Sequence, residues 1–297
     1  MAGWLGSPNG RPPTLRELFE ADEMVLAPGC YDALGARLIE EAGFSAAYMT
    51  GFGSAASRLG RPDVGLMTLS EMVDNARRIA QAIDIPVIAD ADTGYGNSIN
   101  VIRTVREYEA AGVAAIHLED QVMPKKCGHM EGKQVVPVGE MAAKVAAAVA
   151  ARCSSDFLII ARTDARAVEG LEGALQRARI YREAGADALF VEAPQSEAEI
   201  EAVARAFGGV PLLFNYAEGG KTPAVSHAFL RDLGFKLVIF PLTVLLSATQ
   251  AIRSALARVK ADGSPLELVP SLLGFDEFLE FIGMDEIRDL ERRFAER

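Results

Sequence analysis

The chain has 297 residues, half of them hydrophobic, and a net charge of -11. That supports a large core, which α/β barrels routinely build as one domain at this length, and it makes nucleic acid and anionic membrane poor partners while leaving room for a local basic pocket that takes a small anion. No apolar stretch reaches the roughly 20 residues of a membrane span, the start lacks the hydrophobic region of a signal peptide, and Cys30, Cys127 and Cys153 form no disulfide framework, so a reducing cytoplasmic location is expected.

In chain order, residues 1–13 are rich in Gly and Pro and read as a flexible leader, with a single domain over 14–297. A short helix is expected over 15–21 and a first strand over 24–28. A rhythm of apolar run, polar loop, amphipathic helix and glycine follows. The apolar runs are 24–28, 46–50, 86–90, 114–119, 157–162, 188–192, 211–215 and 237–241. Most are apolar throughout, as parallel strands buried on both faces are. Helices are expected over 70–82, 99–111, 139–152, 171–184 and 196–207, and Gly43, Gly112, Gly185 and Gly234 stand where a left-handed residue ends a helix. Eight such units predict a (β/α)8 TIM barrel. A doubly wound sheet is the main competitor, but it favours a Gly-x-Gly loop after the first strand, and none is present. Beyond the eighth run, a long helix over 243–260 and two short ones over 275–297 are surplus to a minimal barrel.

In a barrel, polar residues at strand C-termini converge on one mouth. Here they are Thr50 and Gly51, Asp90 and Asp92, Glu119, Arg162, Glu192 and Asn215. Solubility accounts for any one of them, but not readily for so many strands with complementary charges. Asp90 and Asp92 point to one side if their strand stays regular, and two like charges that close call for a cation. Oxygen ligands without histidine at ligand spacing suggest Mg²⁺ or Mn²⁺ rather than zinc. The fork of Arg162 suits a substrate carboxylate.

Cys127 has two readings: a buried apolar cysteine, or a thiol whose neighbours Lys125, Lys126 and His129 favour the thiolate, on a loop that Gly128 makes mobile. A lid that covers a bound anion and delivers a proton fits the second. Cys30 and Cys153 lack such company and read as structural. His117 alternates with Glu119, facing either the barrel interior or a metal shell; His227 reads as an exposed helix start. Residues 94–97 lack the lysine of a P-loop, and 218–223 read as a flexible loop at the mouth.

From about Thr14 onward the chain resembles the isocitrate lyase and phosphoenolpyruvate mutase superfamily. The resemblance rests on Thr50-Gly51 with residues 59–63, on Asp90-Ala91-Asp92-Thr93-Gly94-Tyr95-Gly96, on His117-Leu118-Glu119-Asp120-Gln121, on Lys125-Lys126-Cys127-Gly128-His129, and on residues 160–165. The Cys-Gly-His triplet is the mark of the lyase branch. The resemblance implies a barrel whose last helix is exchanged between subunits, usually in a homotetramer. It implies Mg²⁺ bound by Asp92, with Asp63, Asp90 and Glu119 holding its waters. A 2-oxo acid lies on the metal with its carboxylate against backbone amides around Thr50, Gly51 and Phe52. Arg162, Glu192 and Asn215 line the pocket with Gly128, Tyr48 touches the reacting hydroxyl, and Cys127 acts as general acid beside Lys126 and His129. The implied activity is a carbon–carbon lyase acting on 2-methylisocitrate or 2,3-dimethylmalate, with carboxyvinyl-carboxyphosphonate phosphorylmutase as the alternative. Residues 130–133 depart from the Arg-Pro-Asn-Lys usual in methylisocitrate lyases. Oxaloacetate hydrolases place a serine near Pro241, which counts against that activity, and a barrel that merely binds a dicarboxylate needs no positioned acid.

Overall fold

Eight parallel strands close into a barrel in the order β1 to β8, with β1 paired to β8. They are β1 (Val25–Cys30), β2 (Ala47–Met49), β3 (Val87–Asp90), β4 (Ala115–Glu119), β5 (Leu158–Thr163), β6 (Ala188–Val191), β7 (Leu212–Asn215) and β8 (Leu237–Phe240). The computed structural model describes residues 12–128 and 130–295, so most of the expected leader lies outside the described residues. The barrel belongs to a compact unit that includes residues 12–245. Among the described residues, no helix is long and apolar enough to cross a membrane.

Alternation along the strands sorts side chains into two populations. Ala115, Leu158, Ile160, Leu213 and Leu237 form one cluster, in which Leu15 and Phe19 of α1 (Leu15–Glu20) take part. Met49, Ala89, Ile116, Leu118, Ile159 and Val238 form the other, together with residues such as Met72, Ile79, Val101 and Val105 from the surrounding helices. Thr14 starts α1 with a capping box, its hydroxyl accepting from the Glu17 amide while the Glu17 carboxylate accepts from the Thr14 amide.

The helices are α2 (Ala33–Glu41), α3 (Gly51–Leu59), α4 (Leu69–Ala82), α5 (Ser98–Ala110), α6 (Val138–Ala151), α7 (Arg166–Glu183), α8 (Glu197–Ala206), α9 (His227–Asp232) and α10 (Thr243–Asp262). The sequence reading missed α3, because Gly51 and Gly53 dilute its pattern. They serve approach rather than flexibility: a Cβ on Gly51 would collide with the Asp90 carboxylate, and one on Gly53 would lie 2.6 Å from Thr50 Cγ2. The expected start of α7 at Leu171 is the start of its second part, since Gly170, at φ 80° and ψ 178°, breaks a preliminary turn from Arg166. His227 is exposed at the start of α9.

A second compact unit includes residues 246–295, with most of α10, a 3₁₀ turn at Val269–Ser271, α11 (Phe275–Phe281) and α12 (Met284–Phe294). None of the residues in α10, α11 or α12 is buried, and Leu266 and Phe275 are 70% and 76% exposed.

Candidate active site

The mouth of the barrel continues the inward-facing series of the strands. Pairing sets Glu119 of β4 beside Arg162 of β5, and Asp90 of β3 beside His117 of β4. Arg162 is the hub: its Nε lies 2.8 Å from Asp164 Oδ2 and 3.2 Å from Glu119 Oε2, and its Nη2 lies 3.1 Å from Asp164 Oδ1 and 3.6 Å from Glu192 Oε1. Its guanidinium stands 4.9 Å over the Phe190 ring. Asn215 donates from Nδ2 to both Glu192 oxygens at 3.2 Å, while its Oδ1 is buried without a hydrogen-bond partner.

Below this layer, the Tyr48 hydroxyl lies 2.8 Å from His117 Nε2, and the two rings stack. His117 thus faces the barrel interior, 3.7 Å from Asp90 Oδ1. Burial pushes its pKa down to about 4 despite Asp90, so the ring is neutral. Burial and Asp90 push the Tyr48 phenol well up.

The premise of a regular strand through Asp92 fails. β3 ends at Asp90, and Asp92 has φ 47°, left-handed backbone that few residues besides Gly, Asn and Asp tolerate. Asp90 Oδ1 accepts from the Asp92 amide at 2.9 Å, which holds that turn. Lys125 then lies 2.6 Å from Asp63 Oδ2 and 2.7 Å from Asp92 Oδ1. Its ammonium is therefore held between two carboxylates, and it lines the same cavity as Cys127. A crowd of anions needs an internal cation, and that is the signal by which Lys125 could have been placed.

The loop after β4 is tied down at its start by Gln121, whose Nε2 donates to Glu119 Oε1 at 3.0 Å and to the Lys126 carbonyl at 2.8 Å, and whose Oε1 accepts from the Lys126 amide at 3.0 Å. Lys126 Nζ turns to the carbonyls of Glu131 and Gly132, at 3.3 and 2.9 Å. Gly128 is seated so tightly that a Cβ there would overlap the Glu192 carboxylate and lie 2.6 Å from Arg162 Nη2. Cys127 is half-buried in the same stretch. His129 lies outside the described residues. Cys30 is buried, its thiol pushed up to about 12 by burial and by Asp32, whereas Cys153 is exposed, with Arg106 Nη1 at 2.6 Å from its sulfur, and does not pack in the core.

These groups enclose a cavity of about 50 Å³ lined by Tyr48, Thr50, Phe52, Asp63, Asp90, Glu119, Lys125, Lys126, Cys127, Gly128, Arg162, Glu192 and Asn215, with Ala217, Pro241 and Leu242 completing it. Of the expected residues that are described, Gly51 and Asp92 stand just behind its wall. The first turn of α3 opens at Thr50, where free amides favour an anion. Of the expected mouth loop, Glu218 accepts from the Leu242 amide at 3.2 Å.

The donor set suits a hard divalent cation. Asp63, Asp90, Asp92, Glu119 and Glu192 outnumber the cations Lys125, Lys126 and Arg162 around the cavity. Among the described residues, buried Asp92 Oδ1 meets the Lys125 ammonium at 2.7 Å. Burial together with Asp90 and Asp63 raises Asp92 to about 6 against the pull of Lys125, and burial raises Glu119 well above the usual carboxylate range. Asp90 is drawn down instead, because His117, Lys125, Arg162 and the Asp92 amide outweigh its burial. Among the described residues, however, no three His, Cys, Asp or Glu side chains already converge on one point to hold a metal, so the expected four-carboxylate set is not preassembled around a common centre.

A closed eight-stranded parallel barrel with a charged cavity at the strand C-termini and a cysteine on its wall has the architecture of a barrel enzyme. The phosphoenolpyruvate phosphomutase family model matches residues 15–260, and the chain belongs to that family, within the phosphoenolpyruvate mutase/isocitrate lyase superfamily. It is 48% identical to 2,3-dimethylmalate lyase of Eubacterium barkeri, covering 95% of this chain and 97% of that one. It is 46% identical to 2-methylisocitrate lyase of Aeropyrum pernix, over 95% and 89% of the two chains, and 45% identical to the chloroplastic carboxyvinyl-carboxyphosphonate phosphorylmutase of Arabidopsis thaliana, over 99% and 88%. Among solved structures, an oxaloacetate acetylhydrolase complex superposes with TM-score 0.90 at 39% identity, covering 98% and 99% of the chains. A 2,3-dimethylmalate lyase gives 0.89 at 41%, over 94% and 93%, and a phosphonopyruvate hydrolase bound to oxalate and Mg²⁺ gives 0.86 at 34%, over 95% and 98%.

Proposed function

We propose that this protein is a Mg²⁺-dependent carbon–carbon lyase that cleaves a 2-hydroxy di- or tricarboxylate of the 2,3-dimethylmalate or 2-methylisocitrate type to a 2-oxo acid and a carboxylate. The observation that carries this reading is the seating of Gly128 against Arg162 and Glu192, with Cys127 lining the same acidic cavity. Asp92 is the residue to hold the cation, with Asp63, Asp90 and Glu119 around it. When bound, it supplies Lewis-acid stabilisation of the oxygen that becomes the ketone.

The chain's own residues do the rest. The start of α3, around Thr50, Gly51 and Phe52, takes the carboxylate of the forming 2-oxo acid, and Arg162, Glu192, Asn215 and Gly128 line the remaining pocket. Tyr48, kept as a neutral phenol, orients the substrate hydroxyl. As the hydroxyl passes its proton to a carboxylate of the cavity and the C2–C3 bond breaks, the electron pair collects on the departing carboxylate as an enediolate. Cys127, on the loop with Lys126 and His129, then gives its proton to that carbon and is left as the thiolate. The closed loop keeps water from the carbanion.

Purified protein with Mg²⁺ is expected to release pyruvate from 2,3-dimethylmalate or 2-methylisocitrate in a coupled reduction assay. The 45% identity to a phosphorylmutase favours one other reading. If carboxyphosphonoenolpyruvate turns over by phosphorus NMR and no hydroxy acid yields a 2-oxo acid, the mutase reading replaces the lyase. Pro241 lines the cavity without a hydroxyl, which supports neither oxaloacetate hydrolysis nor its serine. We further propose a homotetramer located in the cytoplasm; the exposed Leu266 and Phe275 support the packing of the C-terminal helical unit on a second copy.

A further inference from the structure

Lys133 closes the loop segment 130–133, and its ammonium is almost wholly buried, with the side chain 2% exposed. Burying an ammonium is costly unless its partners are well placed, and here they are two. Nζ donates to the Gly128 carbonyl and lies 2.7 Å from Asp164 Oδ1. Asp164 cannot drift. Its backbone N–H donates to Asp120 Oδ1 at 2.8 Å, and both of its carboxylate oxygens are gripped by Arg162. Asp120 is fixed in turn by Thr163 and Tyr181, at 2.7 and 2.8 Å. A buried chain of charged contacts thus runs from the barrel wall to the carbonyl one residue beyond Cys127. Among the described residues, Lys126 Nζ reaches carbonyls of its own loop.

We infer that Lys133 is a positioning residue: by bridging Asp164 to the Gly128 carbonyl, it holds Cys127 at working height over Arg162 and Glu192. Its effect on turnover rests on the lyase reading; its effect on the thiol does not. Lys133 touches neither the cavity nor the reacting atoms, so its contribution passes through the loop.

The test uses the full chain with Cys153→Ser, so that Cys127 is the remaining accessible thiol, and compares Lys133→Met and Lys133→Arg with that parent. Iodoacetamide modification of Cys127 is followed by peptide mass spectrometry without substrate, and pyruvate release is followed with it. Loss of a charge-assisted hydrogen bond predicts that Lys133→Met raises the Cys127 modification rate at least about tenfold and lowers kcat by a similar factor, with KM changed less. Lys133→Arg, which keeps the Asp164 pair, recovers part of both. A modification rate for Lys133→Met within about twofold of the parent, in a variant with the parent's unfolding cooperativity, overturns the inference. Should Lys133→Met not fold, Lys133→Arg decides, because its longer planar head cannot reproduce the Gly128 contact and an unchanged kcat and modification rate would then count against the role. If the parent yields no 2-oxo acid while the modification rates still separate, the lyase reading fails and the positioning role stands.

Discussion

The two ends of the barrel interior are built by the same strands to opposite ends. Toward the N-termini of the strands, Ala115, Leu158, Leu213 and Leu237 pack with Leu15 and Phe19 and carry no charge. Toward the C-termini, the same inward positions carry Asp90, Glu119, Arg162, Glu192 and Asn215. The first end gains free energy from burial at roughly 25 cal/mol per Å² of apolar surface. The second buries ionised groups that are costly unless paired, and the extensive ion-pair network only partly offsets that cost. One end stabilises; the other accepts instability for chemistry.

The sharpest break between the ends comes at Asp92. Asp92→Asn, which tolerates the left-handed backbone, is expected to reduce turnover to background and to abolish stabilisation by Mg²⁺. In the unmodified protein that stabilisation amounts to about 2.7 kcal/mol at a hundredfold excess over Kd. A Mg²⁺-induced rise in Tm that survives in Asp92→Asn would remove Asp92 from the metal site. Next, Cys127→Ser is expected to lower kcat by roughly 10²–10⁴-fold while leaving oxalate binding intact by calorimetry. Full activity in that variant removes the thiol from the mechanism.

At the apolar end the signs reverse. Leu158→Ala is expected to cost about 2–5 kcal/mol in urea unfolding, yet leave kcat of the folded fraction unchanged. A proportionate fall in kcat would mean that the two ends are not separable. The smallest effect is at Cys30. Its thiol ionises near 9.0 when unfolded and at about 12 when folded, so the unfolded chain loses its proton first as pH rises. Stability from this group is complete below about pH 8 and falls by about 1.4 kcal/mol between pH 8 and 10. Cys30→Ala should flatten that slope in urea titrations across the window; an unchanged slope would assign it elsewhere.

The barrel was legible because each strand is a short apolar run closed by a polar residue, and because a glycine follows so many helices. The polar mouth was legible for the same reason: Glu119 and Asn215 end strands, and Arg162 stands one residue before the end of its own. Helix α3 was hidden because its glycines are there for close approach, not for propensity. Lys133 and Gln121 escaped a functional assignment because their importance lies in where the loop folds back, and local spacing does not encode that. The placement of Asp92 was expected for the wrong reason: a left-handed turn, rather than strand alternation, brings it to Lys125.

Side-chain alternation in the barrel wall also limits how the chain can change length. One residue gained or lost inside β4 would rotate Glu119 and His117 into the oily layer beneath the helices and bring Leu118 to the mouth. Insertions and deletions in this strand are therefore tolerated only in pairs, and single-residue changes are confined to the connections between strand and helix.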